Sequence, residues 1–301
     1  MAIFTLTGAT GSVGKAIVNE LLNQNHEVRI LTTRKNFKWE GVQCFYWNPS
    51  KGLIDLPSLD GADYLIHLAG ATVSKRWTTK YKQEITDSRV QSTQLLLDAL
   101  EKISVGPRAV VSASAIGIYG SGLERMMVES DPAADDYLAS VTRTWEMYTQ
   151  KFETEQRRSI QLRIGIVLDG GAGVLGQLEP LAKLGLASPL GTGKQWTSWI
   201  HVKDLARMFV FAATQEIPSG PYNAVGPEPL SNKALTKTLT QVLKRPMWLP
   251  AVPSFVLKLV LGEMATLALM SQKVSNAKIT AAGFTYTFSK LTDALNDIYS
   301  K

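Results

Sequence analysis

The segment TGATGSVG, residues 7 to 14, spaces three glycines three residues apart: Gly8, Gly11 and Gly14. The apolar run AIFTLTG leads into it, and SVGKAIVNELLNQN follows it with Val13, Ile17, Leu21 and Leu22 on one helical face. A glycine turn between a strand and a helix suits a pyrophosphate. Gly8 permits the tight turn, Gly11 lets the backbone come close to the phosphates, and Gly14 lets the helix pack on the strand. The helix N-terminus adds N–H donors and the positive end of its dipole. Thr7, Thr10, Ser12 and Val13 fill out the predicted cradle. The alternative is a turn with only a structural role.

The second strand, EVRILTT (27–33), says which dinucleotide such a cradle would take. NAD-binding folds usually place an acid about 20 residues past the glycines, to bond the ribose hydroxyls. Here that place holds Arg34, after Thr33, and no acid sits at the strand end. An arginine stacks on adenine and pairs with a 2′-phosphate, which an acid would repel. The expected cofactor is therefore NADP in preference to NAD. The alternative is that Arg34 and Lys35 are simply solvated.

Three further groups are candidates. KRW (75–77) offers a basic pair and an aromatic to a phosphorylated or planar ligand, unless it is a surface loop. GKQWTSW (193–199) lines a pocket wall, or else Trp196 and Trp199 serve packing. His201 reads as a group that fixes local structure. The histidines, His26, His67 and His201, show no metal spacing, so no metal site is expected.

These residues need elements to hold them. Beyond those named, ADYLIHLAG (62–70) and RAVVSASA (108–115) read as strands, and so does SIQLRIGIVL (159–168). Residues 80–103 and 141–156 read as helices. Alternating helices and continuous apolar strands imply an α/β fold of Rossmann type, a doubly wound parallel sheet covered on both faces. The expected domain spans residues 1–170, with 196–225 returning to it. Residues 171–301 form a smaller C-terminal substrate lobe, partly interleaved with it. In that lobe LDGGAGVLGQLEP reads as a loop, 231–243 as a helix capped by Ser231, and 251–270 as a buried or groove-lining helix.

Composition removes several classes. Hydrophobic residues make up 45% and charged residues 19% of the 301, a globular balance. The one cysteine, Cys44, excludes an internal disulfide. Lys258 and Glu263 interrupt the apolar stretch 251–270, so it is not expected to span a membrane. The N-terminus has no basic region ahead of its apolar run, so no signal peptide is read and a cytoplasmic protein is expected. The net charge of +6 is scattered without a nucleic-acid-binding pattern, so a phosphate-bearing small molecule is the expected partner, not nucleic acid.

The spacing of the glycines resembles that of the extended short-chain dehydrogenase/reductase superfamily, the NAD(P)-dependent epimerases and dehydratases. DYLIHLAG resembles its fourth strand, whose end, here Leu68, Ala69 and Gly70, lies over the cofactor. VVSASAIGIYG resembles its fifth strand and WIHVKDLARMF its HVDDVA segment. SKRW after HLAG, GKQWTSWIHVKDL, LGEMATLALMSQKV and AAGFTYTF bring the whole chain close to one atypical branch. That branch carries the names nucleoside-diphosphate-sugar epimerase and cell-division-inhibitor-like protein.

The resemblance implies roles. The superfamily's serine bonds the substrate oxygen, its tyrosine moves the proton, and its lysine lowers the tyrosine pKa and holds the nicotinamide ribose. Ser114 matches the serine if one residue near Gly117 is an insertion, and Tyr137 matches the tyrosine. Val141 stands where the lysine would be, and Arg89 where a supporting asparagine would be. A tyrosine without a cation stays protonated near neutral pH. Arg89, Lys75 and Arg143 are the candidate replacements, with Arg143 on a different helical face. The resemblance thus implies an oxidoreductase or epimerase with an atypical site, acting on a carbonyl or hydroxyl of a small molecule such as a nucleotide sugar. It also implies a homodimer through long helices, for which 80–103 would serve. The loss at Val141 leaves a second reading open, a non-catalytic NADP(H) sensor or regulator.

Overall fold

The computed structural model describes residues 1–122 and 124–300. Seven parallel strands run β3-β2-β1-β5-β6-β7-β11, where β1 is Ile3–Thr7, β2 Glu27–Thr32, β3 Gln43–Asn48, β5 Tyr64–His67, β6 Ala109–Ala115, β7 Arg158–Ile164 and β11 Gly220–Ala224. A two-residue strand, β4 (Leu53–Ile54), closes the edge beyond β3 antiparallel. The order reverses between β1 and β5, and ligands of open α/β sheets bind outside the strand ends at such a point. The α/β doubly wound fold expected from the alternation is the fold observed.

Side-chain alternation builds the layers. Phe4 and Leu6 of β1, with Val28, Ile30 and Ile66, face one side. There they meet Ile17, Val18 and Leu21 of α1 (Ser12–Asn23) and Leu205, Met208 and Phe209 of α5 (Val202–Thr214). On the other side Leu31, Leu65 and Val110 pack against Leu96, Ala99 and Leu100 of α2 (Thr79–Leu100), beside which lies α3 (Tyr137–Gln150). A parallel sheet covered twice carries apolar residues on both faces, which is why its strands read as runs.

Several elements differ from the sequence reading. Helix α3 starts at Tyr137 rather than at 141, because the Asp136 carboxylate accepts the Ala139 N–H at 2.9 Å and caps it early. The run 159–168 is two strands. At Gly165 the chain stops pairing with β6 and β11, and β8 (Ile166–Leu168) pairs with β10 (Trp199–His201) instead. A Cβ at Gly165 would lie 2.5 Å from the Ser198 carbonyl oxygen, so only glycine fits this change of partner. The glycine-rich segment after it is not a loop but holds α4 (Gly173–Lys183). Leu175, Leu178 and Ala182 bury there against α6 (Asn232–Val242) and α10 (Leu291–Tyr299), and that burial overrides glycine's low helix propensity.

The stretch 251–270 is not one buried helix. It splits into α7 (Ser254–Leu261) and α8 (Ala265–Leu269) around Gly262, and Phe255 and Leu259 of α7 are 70% and 83% exposed. No helix among the described residues is long and apolar enough to cross a membrane. Ser231 caps α6 through the Ala234 N–H, as expected. A short antiparallel pair, β9 (Trp196–Thr197) with β12 (Leu230–Ser231), and α9 (Ala277–Ala281) complete the strands and α-helices among the described residues.

Candidate functional site

The glycine turn lies between β1 and α1 at the reversal of strand order. Gly8 has φ +71°, and a Cβ there would stand 3.0 Å from the Leu68 carbonyl carbon. The turn therefore presses on the chain leaving β5, and glycine is needed on both counts. Gly14 is buried, and a Cβ on it would come within 2.6 Å of the Ala9 Cα. Gly11 is the N-cap and offers no side chain, so nothing on this residue competes with a ligand for the first N–H groups of α1. Gly11 is exposed, and Thr10, Ser12 and Val13 are half-buried around it. The Ser12 hydroxyl donates to the carboxylate of Asp169, which follows β8.

Thr7 does structural duty. Its hydroxyl oxygen accepts the N–H groups of Leu68 and Ala69 at 3.1 and 3.2 Å. Its proton must then go to His67 Nδ1, 2.8 Å away. That leaves His67 Nε2–H to donate to Thr93 at 3.1 Å, and Thr93 donates to the Arg89 carbonyl at 2.7 Å. Burial drives the His67 pKa down to about 3, so the imidazole stays neutral and the chain of bonds keeps one polarity. This chain ties the glycine turn and the half-buried Leu68 and Ala69 to α2, with Gly70 exposed just beyond.

At the carboxyl end of β2, Thr33 and Arg34 are exposed. The Arg34 N–H is held by the Thr32 hydroxyl at 3.2 Å, and its guanidinium stands 5.7 Å from the Phe37 ring centroid. The side chain thus has a fixed root and an exposed head beside Phe37. Arg89 differs. Its Nη1 donates to the carbonyls of Ile85 and Ala71, and the guanidinium stacks 4.7 Å over Trp145. Its Nε is buried without a partner among the described residues. Burial lowers the Arg89 pKa, against the pull of the Tyr137 and Tyr81 phenols.

Tyr137 is the first residue of α3, with Val141 buried one turn along. Its hydroxyl donates to the Lys82 carbonyl at 3.2 Å, and the edge of Trp77 meets its ring at 5.2 Å. The KRW loop thus delivers its aromatic to Tyr137, while Lys75 lies 5.6 Å over Tyr81. Arg143 is turned away, donating to the Ala134 carbonyl. Burial raises the Tyr137 pKa above its ordinary value. Arg89 opposes that, and Glu263 and Tyr81 add to it.

Ser114 sits elsewhere. It is buried at the end of β6 and donates to Glu146 at 2.5 Å. Glu146 also receives a two-bond fork from Arg163, each bond 2.8 Å. Arg163 donates onward to the Tyr119 hydroxyl at 2.9 Å, which donates to Asn223 at 2.7 Å. Burial pulls the Arg163 pKa down, but its bonds to and charge pairing with Glu146 more than reverse this. Ser114 and Tyr137 therefore belong to separate networks, with no hydrogen bond between them.

A cleft of about 490 Å³ opens beside the Tyr137 group, lined among others by Ser121, Lys258, Glu263, Thr266, Leu269 and Met270. Glu263 reaches from this cleft to form an ion pair with Lys82, whose ammonium also stands 4.9 Å from the Tyr137 ring centroid. Trp199 is a packing residue, its indole N–H bonded to the Glu228 carbonyl at 2.8 Å. His201 caps α5 through Nδ1, with Nε2 3.4 Å from Asp297, and burial lowers its pKa.

The sequence reading missed Lys82, Glu146, Arg163 and Glu263. Two left a signal. Lys82 precedes Arg89 by seven residues, hence lies on the same face of α2. Arg163 interrupts an apolar strand run, and a buried arginine requires an acid.

The model of the NAD dependent epimerase/dehydratase family matches residues 4–225, and a domain of unknown function, DUF1731, matches residues 252–298. An epimerase family protein of Staphylococcus haemolyticus is 36% identical over 99% of this chain and 99% of its own. The chloroplastic SDR39U1 homolog of Arabidopsis thaliana, also named an epimerase family protein, is 35% identical over 98% of this chain and 86% of its own. The structure of human epimerase family protein SDR39U1, solved with NADPH, superimposes with a TM-score of 0.89 at 29% identity, covering 99% of each chain. The chain belongs to the NAD dependent epimerase/dehydratase family.

Proposed function

We propose that the protein is an NADP-dependent oxidoreductase or epimerase acting on a carbonyl or hydroxyl of a small molecule, with a nucleotide sugar as the substrate class. The exposed Arg34 at the end of β2, beside the glycine turn and with no acid at the strand end, carries the choice of NADP. The NADPH in the human relative's structure supports it. The uncapped first turn of α1 suits the pyrophosphate, and Arg34 with Thr33 the 2′-phosphate. Leu68, Ala69 and Gly70 would flank the bound dinucleotide, with Arg89 behind them. When bound, the nicotinamide gives or takes a hydride.

The chain's own part is to hold the substrate oxygen and move a proton. Tyr137 delivers the proton when a carbonyl is reduced and removes it when a hydroxyl is oxidised. Its raised pKa favours the first direction near neutral pH. Ser114 polarises the substrate oxygen, for which its proton must leave Glu146. Residues 1–170 with 196–225 act as the dinucleotide domain and the rest as the substrate lobe. The protein works in the cytoplasm, and pairs of chains meet through α2.

The test is calorimetric titration with NADPH and NADH. NADPH is expected to bind more tightly. Arg34→Ala is expected to weaken NADPH by about 10- to 100-fold, the worth of a charge-assisted contact, and to leave NADH unchanged. Tighter binding of NADH overturns the cofactor assignment.

The engagement of Ser114 by Glu146, with Val141 buried in the lysine's place, favours a second reading, a non-catalytic NADP(H) sensor. Tyr137→Phe separates the two. It cripples a tyrosine-dependent enzyme and leaves a sensor's cofactor binding and partner response intact.

A further inference from the structure

Tyr137 has several basic residues within reach, and most are committed elsewhere. Arg89 is bonded to two carbonyls and stacked on Trp145, Lys75 lies over Tyr81, and Arg143 is turned to Ala134. Lys82 differs in standing over the Tyr137 ring itself, with its charge tied up by a carboxylate that can move away. Its own carbonyl accepts the Tyr137 hydroxyl, and its ammonium stands over the Tyr137 ring. That ammonium is shared with Glu263, which lies in the turn between α7 and α8 and lines the cleft. The ion pair therefore spans from α2 to the C-terminal segment at the edge of the cleft. Its side chains are 27% and 63% exposed, so it is an exchangeable surface pair.

We propose that Lys82 is the cation this chain sets beside Tyr137 in place of the lysine missing at position 141, and that its pair with Glu263 is a clasp opened by a ligand entering the cleft. Lys82 is a positioning residue, since it acts through Tyr137. With the clasp closed, the carboxylate offsets the ammonium and the phenol stays protonated. With it open, the ammonium is no longer offset and joins Arg89 in favouring the phenolate. The ionisable groups facing Tyr137 are Lys82, Arg89 and Tyr81 from α2 and Glu263 from the turn after α7, with Asp135 and Asp136 preceding it in the chain. The proposal rests on the reading of Tyr137 as the proton carrier.

The experiment is a ¹⁹F NMR titration of the full chain with 3,5-difluorotyrosine in place of tyrosine, a phenol that ionises at lower pH. Tyr137→Phe identifies the signal, and neither cofactor nor substrate is needed. Glu263→Gln is expected to lower the Tyr137 midpoint by about one unit and Lys82→Met to raise it by about as much. Lys82→Arg restores the starting value. In the Lys82→Met background, Glu263→Gln should have a smaller effect, the part that the carboxylate exerts on the phenol itself. An equal shift in that background means that Glu263 acts on the phenol only directly, and the clasp is wrong. Unmoved midpoints in the single variants overturn it equally. A Tyr137→Phe enzyme with undiminished turnover sinks the proton-carrier reading instead, an outcome distinct from a titration without coupling.

Discussion

At the scale of single residues, buried polar groups under α2 and α3 set the pH and mutational sensitivity of this fold. His67 has a folded-state pKa of about 3 against 6.5 in a free chain. The unfolded chain takes a proton below pH 6.5 that the folded chain refuses, so stability falls as pH falls from there towards 3. The loss from this group approaches about 1.4 kcal/mol per pH unit, and the lowered pKa values of His26 and His201 act in the same sense. Urea midpoints at pH 7 and pH 5 should show it, with a shallower slope in His67→Gln. Glu146 and Arg163 make the opposite kind of prediction, because both are charged and buried. Glu146→Ala strands a guanidinium and should cost about 3–5 kcal/mol in urea unfolding. A loss below about 1 kcal/mol would mean that water reaches Arg163 freely.

At the scale of elements, what was legible in the sequence was what one face or one turn determines. β1, α1 and β2 announce themselves through the glycines and the apolar face of α1, and α6 through Ser231. β3 was not read, because its apolar run, Cys44 to Trp47, is only four residues long, and near the sheet edge Cys44, Phe45 and Tyr46 are all half-buried, so no alternation marks it. The glycines of α4 hid an apolar face that only its partners α6 and α10 reveal. Of the site, the cofactor turn could be read because local backbone geometry dictates it. The pairing of Lys82 with Glu263 could not, since 181 residues separate them in the chain. The start of α3 also lay in plain view, in the Asp136 cap. Asp136→Ala should cost about 1 kcal/mol and loosen Tyr137, the first residue of the helix it caps. Thermal unfolding measures the first effect and the Tyr137 ¹⁹F linewidth the second; a variant as stable as the parent would show the cap to be idle.

At the scale of the molecule, elements from both halves of the sequence share one set of layers. α5 and β11 lie far along the chain yet complete the sheet domain. Buried Asp204 of α5 in turn accepts the N–H groups of Thr287 and Phe288 at 2.9 and 2.8 Å, fastening the C-terminal segment to that layer. The expected result is one cooperative unfolding transition, with far-UV circular dichroism and tryptophan fluorescence coinciding. Two separated transitions would mean that the halves fold on their own. A homodimer through α2 would meet a face bearing Gln83, Glu84, Gln91, Gln94 and Asp98, all exposed. Such a contact is polar, and light scattering should find it dissociating on dilution.

The change of partner at Gly165 also bears on how such a protein can be recombined. The chain leaves the sheet there, returns through α5 and β11, and leaves again after Ala224. A chimera that exchanged the cleft-bearing part between two relatives would need joints near 165, 198 and 226 together. A single crossover before Ala224 would split the sheet between two parents, and one just after it would part α4 from its partners α6 and α10. Variation in what the cleft accepts is therefore expected to arise by point substitution in place, on a scaffold inherited whole.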